Sequence, residues 1–575
     1  MTPYLKKIKK LDEINMDWQR SFLIGSMLVV IYMLFLEWDG FQTKQTPMIN
    51  SGGAYDLVVP EIPAAYSPQT DQLVGKIKGN EVPLVVPNIN DATSFDGVQT
   101  KDRVVVITTD VFRVHIDTHG GDIVRVELLK HLKDITDKET PFILLDRTAA
   151  STYVAQSGLI GVNGTDTDKG RPIFETTASQ YQLLEGQNSL DVQLVLEENN
   201  IKIVKKYTFN RKDYLIGLEY QIFNQSSSSW EAGLYGQIKR DSQNPANVTA
   251  MGMQPFLGAA LTTNEKNYHK LNFSEINEET FKDKVVGGWV AMVQHYFVSA
   301  WIPNQKTNNN FNIRKIGNQD TYLLGFTSPQ IKINPGEQAS IKADFYTGPK
   351  DQYRLEEISP YLDLTIDYGW LWMIAKPLFW VLHQLHQVFG NWGWSIIMLT
   401  VLIKAAFFQL SAKSYTSMAN MRKLQPEMLR LKDLYGDDRQ KMSQETMSLY
   451  KREKVNPMGG CLPILVQMPV FIALYWVLLE SVELRHAPWI LWINDLSVKD
   501  PFFVLPLIMG ASMFIQMQLN PTPPDPIQAK VMQIMPIAFT FFFMFFPAGL
   551  VLYWTINNCL SILQQWVITR KIENA

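Results

Sequence analysis

Long stretches without charged residues occur near the N-terminus of the chain and again in its last third. The first covers 22–36 and follows a basic segment. The later ones cover 392–410, 455–479, 502–524 and 531–569, and the only charge among them is Lys404. A helix needs about 20 residues to cross a hydrocarbon core of ~30 Å, so these stretches predict transmembrane helices.

The last of these stretches is too long for one crossing, because 531–569 would form a helix of roughly 58 Å. A Pro-Ala-Gly turn signal at 547–549 lies near its middle and divides it in two. The chain is therefore predicted to be an α-helical polytopic membrane protein with six transmembrane helices. The predicted spans are 16–38, 391–411, 455–481, 502–519, 531–546 and 550–569.

The distribution of Lys and Arg predicts the orientation of these helices. The N-terminal flank and the loop 412–454 are basic and are placed in the cytoplasm, together with the loop 520–530 and the tail 570–575. The loop 482–501 contains only two basic residues and is placed in the periplasm. The first span lacks an Ala-x-Ala cleavage signal and is interpreted as an uncleaved signal anchor. Residues 1–15 form an N-terminal extension, with Met1 and Met16 as alternative starts.

The polar region between the first two spans predicts a large periplasmic domain. Residues 39–100 resemble a linker with an early strand, and 101–368 alternate between apolar and polar positions in short runs. Examples are 103–108, 112–117, 190–196 and 201–209, separated by turn signals such as Gly120-Gly121. This pattern predicts an inserted all-β sandwich. Neither cysteine falls within it, so the apolar core alone is expected to stabilise the domain.

Two amphipathic segments flank the second span. The segment 369–390 predicts an interfacial helix with Lys376, His383 and Gln387 on one face. The basic loop 412–454 predicts a helical hairpin that turns at 436–438. Its apolar seam is formed by Met421, Leu424, Met428, Leu431 and Tyr435 on the first arm and by Met442, Thr446 and Leu449 on the second.

Overall composition excludes several classes of protein. The 53 Lys and Arg residues are balanced by 56 Asp and Glu, which argues against a nucleic-acid-binding protein. Two cysteines provide neither a disulfide scaffold nor a zinc site. Motifs for a nucleophile elbow, a zinc protease or a phosphate-binding loop are absent from the sequence. We therefore expect no catalytic residues, no metal and no cofactor.

Lys404 is the most informative residue in the predicted spans. A lysine at the centre of a membrane helix costs about 2.5–3.5 kcal/mol on insertion scales, so it is a candidate for function. It also lies close enough to the cytoplasmic end of its helix to extend toward water. The functional interpretation is a positive charge in a water-containing groove.

Other polar and apolar positions in the spans extend this hypothesis. Polar residues in the spans are Thr400, Gln467, Gln516, Asn557, Asn558, Gln564 and Gln565. Hydrogen bonding between helices explains any one of them, whereas several around one cation indicate a hydrophilic groove. Met468, Phe471 and Tyr475 share a face of the third span, and Phe542 and Phe546 share a face of the fifth. Ordinary packing and an apolar track for a client helix both explain those positions.

Several motifs resemble those of the YidC/Oxa1/Alb3 family of membrane-protein insertases, in its Gram-negative form with a large periplasmic domain. In the helical region they are NWGWSI (391–396), SYTSM (414–418), LQP (424–426), KVNPMGGC (454–461), QMP (467–469), ELR (483–485) and FPAGLVLY (546–553). In the β-domain they are THGGD (118–122), QSGL (156–159) and QHYF (294–297). The resemblance covers 376–570 almost continuously, and it implies a periplasmic β-supersandwich.

The resemblance implies an insertase and chaperone of the bacterial inner membrane, acting alone or with the Sec translocon and without a cofactor. Its implied partners are nascent membrane-protein clients, Sec translocon components, the ribosome or signal-recognition machinery at the cytoplasmic loops, and the lipid bilayer. The groove is expected to contain Lys404, Thr400, Gln467, Tyr553, Trp554 and Asn557. The implied client-contacting slide comprises Met468, Phe471, Tyr475, Phe542 and Phe546. Asp437 and Asp438 form the hairpin tip, the region of targeting-factor contacts.

One position departs from the family pattern, since Lys404 occupies the place of a conserved arginine. The lysine keeps the positive charge but lacks the planar guanidinium that binds a carboxylate through paired hydrogen bonds. Two alternatives remain open from the residues alone. One is a secondary transporter with a periplasmic sensing domain, and the other is a carbohydrate-active enzyme with a membrane anchor. The chain lacks the repeated halves with broken helices that are typical of transporters.

Overall fold

The computed structural model describes residues 103–148, 151–167, 170–243, 255–435, 438–453, 455, 462–520 and 526–573. The predicted N-terminal extension (1–15), first span (16–38) and linker (39–100) lie outside the described residues. The described chain consists of a sheet-rich region followed by helices.

The sheet-rich region extends from residue 104 to residue 349. Its strands are β1 (Val104–Thr108), β2 (Phe112–Asp117), β3 (Asp122–Asp134), β4 (Asp137–Arg147), β5 (Thr152–Ile160), β6 (Gln180–Gln182), β7 (Ser189–Glu198), β8 (Ile201–Asn210), β9 (Leu215–Asn224), β10 (Trp230–Arg240), β11 (Gly258–Leu261), β12 (His269–Leu271), β13 (Phe281–Val286), β14 (Val290–Val293), β15 (Phe297–Pro303), β16 (Asn308–Lys315), β17 (Tyr322–Thr327), β18 (Ile331–Ile333) and β19 (Gln338–Pro349). The four strands predicted from alternation correspond to β1, β2, β7 and β8, so those predictions are confirmed.

These strands form two sheets. The 11-stranded sheet has the order β13-β16-β17-β10-β5-β4-β3-β2-β1-β6, with β18 paired to β10. The 8-stranded sheet has the order β12-β11-β14-β15-β19-β9-β8-β7. Neighbouring strands are antiparallel, apart from the parallel pair β1 and β6. Strict alternation along β9 turns Ile216, Leu218 and Tyr220 into the apolar core, as expected for a strand with one covered face.

A cluster of buried charged side chains bridges the two sheets. This cluster was not predicted from the sequence. Arg171 forms ion pairs with Asp122 and, at 2.5 Å, with Asp166, and each of these side chains is at most 6% exposed. Lys205, on β8 of the other sheet, donates to Gly120 O at 2.9 Å and to Ser157 O at 3.1 Å. Burial lowers the pKa of Lys205 to about 7. The sandwich is therefore held by a balanced set of buried charges as well as by its apolar core.

The predicted turn at Gly120-Gly121 is part of this cluster. Gly120 has a φ of +77°, a left-handed conformation that favours glycine. A Cβ atom at this position would also collide with the guanidinium of Arg171. The glycine thus allows the carbonyl of the turn to face the buried cations.

The helices differ in length from the predicted spans: those that match the second and fourth spans are shorter, and those that match the fifth and sixth are longer. They are α1 (Phe273–Glu278), α2 (Gln352–Ile358), α3 (Trp372–Phe389), α4 (Trp392–Ala406), α5 (Phe408–Lys423), α6 (Gln425–Tyr435), α7 (Arg439–Arg452), α8 (Leu462–Glu480), α9 (Val504–Gln518), α10 (Pro526–Phe543) and α11 (Ala548–Glu573). Within the ranges that the structure describes, none of these helices is by itself both long and apolar enough to cross a bilayer. The pair α4 and α5 meets that criterion when combined, and the two are bent by 68° relative to each other.

Several boundaries differ from those predicted: α4 ends at Ala406 rather than at 411, and α10 ends at Phe543 rather than at 546. Two further differences have a clear physical reason. Helix α10 begins at Pro526 rather than at 531, because proline is well tolerated in the first turn of a helix. The first arm of the hairpin 412–454 is not continuous: α5 ends at Lys423, and α6 begins at Gln425 with Pro426 in its first turn. The predicted seam is therefore interrupted at Leu424.

The arms of the hairpin nevertheless pack on each other beyond this break. Met428 and Leu449, both seam residues, are buried. Tyr450 also donates a hydrogen bond from its hydroxyl to Met428 Sδ at 3.1 Å. The two arms of the predicted hairpin therefore contact each other through α6 and α7.

Helix α3 also differs in detail from the predicted interfacial helix. Its buried face contains Ala375, Phe379 and Leu382. Lys376, which was placed on the polar face, forms an ion pair with Asp363 at 2.6 Å. The exposed face combines apolar and polar groups; it contains Trp372, Met373, Trp380, Gln384 and Gln387. The pairing could not be read from helical spacing because Asp363 lies outside the helix.

One face of the 8-stranded sheet and the helices share an apolar core that is separate from the core between the two sheets. One face of the 8-stranded sheet, including Trp289 and Tyr346, packs with residues of α3, α4, α8 and α11. Val482, which lies just after α8, packs into the apolar core between the two sheets. This junction, between the sheet domain and residues 479–485, fixes the outer end of α8.

Two buried histidines at this junction predict a loss of stability in acid. Burial lowers the pKa of His295 to about 3 and, together with Arg485, that of His131 to about 4. Below about pH 6.5 the unfolded chain therefore takes up protons that the folded chain does not, and each group reduces stability by up to about 1.4 kcal/mol per pH unit. We expect urea midpoints of the full chain in detergent to fall from pH 6.5 toward pH 4.

His295→Gln isolates one of these contributions. His295 Nε2 donates to Leu479 O at 2.8 Å, and a glutamine amide is able to donate to the same carbonyl without titrating. The slope of midpoint against pH is expected to become smaller in this variant. An unchanged slope would exclude His295 as a contributor.

Candidate functional site

A small polar cluster surrounds Lys404 among the apolar helices α4, α8 and α11. Lys404, in the last turn of α4, donates from Nζ to Ser561 Oγ at 2.7 Å and to Gln467 Oε1 at 3.5 Å. Gln467 in turn donates to Asn557 Oδ1. Ser561 donates to the backbone carbonyl of Asn557 at 2.7 Å. Three predicted groove residues, Lys404, Gln467 and Asn557, therefore lie together.

The cation in this cluster is held by neutral groups. In the part of the chain that the structure describes, Lys404 forms no ion pair with a carboxylate. Its charge is therefore solvated by the neutral side chains of Gln467 and Ser561. Such a cation can attract an anionic group without first having to release a protein carboxylate.

A pocket opens beside the lysine where α4 and α5 meet α8. It encloses about 250 Å³ of empty space, including space that is open to solvent. Its lining combines apolar side chains with three polar ones: Ile403, Lys404, Phe407, Leu410, Ser411, Val466 and Gln467. The bend between α4 and α5 occurs at Phe407, which is one of these lining residues. The groove is thus amphipathic.

The remaining predicted groove residues lie deeper in the helices. Thr400 is fully buried and donates its hydroxyl to Ile396 O at 2.7 Å within its own helix. Tyr553 is 1% exposed, and its ring lies 6.1 Å from that of Phe471. Trp554 contacts the same phenylalanine edge-on, with ring centroids 4.5 Å apart. Thr400 thus bonds within its own helix, whereas Tyr553 and Trp554 pack on an aromatic side chain of α8.

The structure divides the predicted slide residues into exposed and buried members. Met468 is 42% exposed and Phe471 is half-buried. Tyr475 and Phe546 are buried, with ring centroids 5.9 Å apart. Phe542 is half-buried and contacts Phe546 at 4.6 Å. In this arrangement only Met468, Phe471 and Phe542 present surface to another molecule, so the client-contacting role of all five stays a prediction.

The predicted hairpin tip is described only in part. Asp438 caps the N-terminus of α7 by accepting a hydrogen bond from Lys441 N at 3.0 Å. Asp437 lies outside the described residues. The capping interaction explains an aspartate at position 438 without any partner protein.

Sequence reasoning missed Ser561 and Ser411, two further polar residues at the site. Ser561 is four residues after Asn557, and spacing of four places both residues on one face of α11. This spacing of four was the feature of the sequence from which Ser561 could have been identified. Ser411 lines the pocket from α5, across the bend at Phe407, where helical periodicity no longer applies.

A second polar seam lies on another face of α11. Asn558 donates to Ser512 Oγ on α9 at 3.1 Å. Gln565 donates to Leu519 O at 3.1 Å and to Asn520 Oδ1 at 3.0 Å. For Asn558 and Gln565 these bonds support the interpretation that polar residues in the spans form hydrogen bonds between helices.

The described residues offer no group of three or more His, Cys, Asp or Glu side chains arranged to hold a metal ion. His386, one of two histidines three residues apart in α3, instead stacks on Trp392 with ring centroids 4.0 Å apart.

Comparison with known proteins covers nearly the whole chain. The family model described as the YidC periplasmic domain matches 104–381, and that of the 60Kd inner membrane protein matches 384–575. The chain is 54% identical to a membrane protein insertase YidC of Cellvibrio japonicus, over 97% of this chain and 99% of that one. It is 51% identical to the protein of the same description from Saccharophagus degradans, over 97% and 100% of the two chains.

A solved structure, described as an active YidC insertase with the first transmembrane domain resolved, is also similar. It is 18% identical, with a TM-score of 0.36, and the match covers 80% of this chain and 92% of that one. A likeness at that score adds nothing to the assignment, which depends on the family models and the two relatives.

Proposed function

The chain belongs to the YidC family of membrane protein insertases, and on that premise we propose that client segments enter the groove around Lys404 before they move into the bilayer. The chain is a membrane protein insertase of the bacterial inner membrane, with a periplasmic domain and with membrane proteins as its clients. It is not a member of an enzyme family.

The observation that carries this proposal is the set of neutral contacts made by Lys404. A lysine among apolar helices is costly unless it is solvated, and here Ser561 and Gln467 provide that solvation. An entering polar tail can exchange with these groups and with water in the pocket. The tail then crosses a shorter distance without hydration than it would in lipid alone.

Transfer of the apolar part of the client provides the driving force. Burial of apolar surface contributes about 25 cal/mol per Å². An acidic tail that moves outward gains a further ~2.3 kcal/mol per charge for each 100 mV of membrane potential. The protein therefore lowers a barrier and needs no covalent chemistry.

The exposed residues of the client-contacting slide suit the next step of insertion, in which the client moves from the polar cluster toward lipid. Met468 and Phe471 lie on the same helix as Gln467, so a client leaving the polar cluster would next meet a thioether and an aromatic ring. Methionine is flexible and polarisable, which suits contact with many different apolar sequences. Phe542 on α10 completes an apolar path toward lipid.

The membrane topology proposed here has six spans, with both termini in the cytoplasm and the sheet domain in the periplasm. Two observations support it: the excess of Lys and Arg in 412–454 compared with 482–501, and the junction of the sheet domain with residues 479–485. On this topology the hairpin α6–α7 faces the ribosome or the signal-recognition machinery. The Sec translocon is a further proposed partner.

The two alternative functions that the sequence left open lose support. The relatives are named insertases, and a secondary transporter or a carbohydrate-active enzyme is not supported. The hydrogen-bond partners of Lys404 are neutral, which further weakens the case for a proton- or sodium-coupled transporter.

Reconstitution tests the proposed function directly. The full chain in liposomes is expected to raise the insertion of a small client with one short translocated tail above the spontaneous level, measured by protection of the tail from added protease. Liposomes with a heat-denatured sample provide the control. Equal protection in both samples would contradict the proposal.

A further inference from the structure

A buried ion pair connects the sheet domain to the outer end of α8. Lys350 follows β19 directly, and Glu480 is the last residue of α8. Their side chains meet at 2.5 Å, and each is 1% exposed. Lys350 also donates to Thr365 O at 3.3 Å. The pair is therefore sealed from water on both sides of the junction.

Other bonds surround this pair and make the same connection. Leu479, the neighbour of Glu480, accepts a hydrogen bond from His295 of the sheet domain. Arg485 donates to Leu132 O at 2.6 Å and lies against the rings of Phe142 and Phe297. The end of α8 is thus held on several sides by groups of one rigid domain.

We propose that Lys350 and Glu480 are positioning residues, which fix α8 against the sheet domain and so determine where its Met468–Phe471 face stands relative to the groove. The inference rests on the proposed function, because that face is assigned to clients there. Neither residue touches a client in this scheme.

An ion pair serves this purpose better than apolar contact for a physical reason. The hydrophobic contribution to a contact is non-directional, so it selects one relative position of two surfaces less sharply than a hydrogen-bonded ion pair does. Two buried charges cannot separate without leaving each charge uncompensated in a medium of low dielectric constant. A shift of α8 along the sheet is therefore opposed steeply, and a single register is selected.

Helix α10 provides a contrast. It packs mainly on α9, and its residues take part in the helical core rather than in the junction. One side of the apolar path lies on α8, which packs chiefly on the helix α3 and is in addition tied to the sheet domain at its end through Glu480. The other side, formed by α10, is held by a helical neighbour.

Removal of both charges separates positioning from stability. Lys350→Met alone leaves Glu480 buried without its cation and is expected to impair folding. Lys350→Met with Glu480→Leu leaves apolar groups of similar size, a change that is often tolerated for buried pairs. We expect this double variant to unfold at the same temperature as the parent protein. Its α8, however, is expected to occupy a wider range of positions relative to the sheet domain.

Spin labels measure the position of α8 without any client. The labels are placed at Val162, 82% exposed in the sheet domain, and at Met468, in full-length protein whose Cys461 and Cys559 are changed to Ser. The double variant is expected to broaden the distance distribution between the labels. In the unlabelled form it is expected to insert clients about three- to tenfold more slowly. Lys270→Met is the matched control, because Lys270 of the sheet domain pairs with Asp367, in the segment before α3, but is 41% exposed.

The outcomes distinguish the inference from the proposed function. An unchanged distance distribution in the double variant would overturn the positioning role. A broadened distribution with insertion at the parent rate would overturn it as well, since α8 would then move without consequence. Failure of the parent protein to insert any client would instead count against the proposed function, while the distance measurement would still decide whether the pair positions α8.

Discussion

Lys404→Ala is expected to slow the insertion of clients with acidic tails by about 10- to 100-fold. Hydrogen bonds that involve a charged group contribute about 1.5–3 kcal/mol, and each 1.4 kcal/mol corresponds to a factor of ten. The alanine variant also leaves Gln467 and Ser561 without the cation that they contact. Clients with uncharged tails lose only the polar surface of the groove, so their insertion is expected to fall less. Initial rates of protease protection in proteoliposomes provide the measurement.

Two further variants give this experiment its controls. Lys404→Arg keeps the positive charge and is expected to insert both kinds of client at close to the parent rate. Lys423→Ala removes an exposed lysine that donates to Ile572 O near the end of α5, away from the pocket, and should have no effect. Parent-like insertion of acidic tails by Lys404→Ala would refute a role for the groove charge.

Arg171→Met is expected to reduce the free energy of unfolding by about 3–5 kcal/mol, the usual cost of breaking a buried ion pair from one side. The change leaves Asp122 and Asp166, both almost fully buried, with Lys205 as the remaining cation of the cluster. Because the cluster bridges both sheets, the whole sandwich should be affected. Urea unfolding of the full chain in detergent, followed by tryptophan fluorescence, measures the loss.

A surface pair of the same chemistry is the control for this prediction. Lys202 pairs with Glu197 across β7 and β8, but the two side chains are 45% and 63% exposed. Lys202→Met is therefore expected to cost less than about 1 kcal/mol. Comparable losses in the two variants would show that the buried cluster has no special role in stability.

The strands of the outer domain could be predicted because alternation reports directly on a sheet with one covered face. Their order could not. Alternation assigns each residue to a face of the sheet but does not select the neighbouring strand, and β10 pairs with both β5 and β17 over long separations in sequence. The burial of Arg171 and Lys205 was invisible for the same reason, since Asp122 and Ser157, which contact them, come from distant strands.

The polar cluster around Lys404 was predictable to the extent that its members lie within charge-poor segments. Lys404, Gln467 and Asn557 are conspicuous against apolar neighbours, and the structure brings them together. The bend at Phe407 was not predictable, because neither proline nor glycine marks it. Glu480 was overlooked because it lies just beyond the charge-free stretch 455–479, at the end of the predicted span, and nothing in the sequence connects it with Lys350, its partner 130 residues earlier.

The junction at α8 also has a consequence for the order of synthesis. Lys350 and Glu480 are separated by 130 positions, which a ribosome covers in roughly 7–26 seconds at ~5–20 residues per second. Throughout that interval the newly made sheet domain has an unpaired lysine, and it lacks Val482 from its core. Completion of the periplasmic fold therefore waits for the third predicted span to reach the membrane. An insertase of this design has to place part of itself in the bilayer before its outer half is finished.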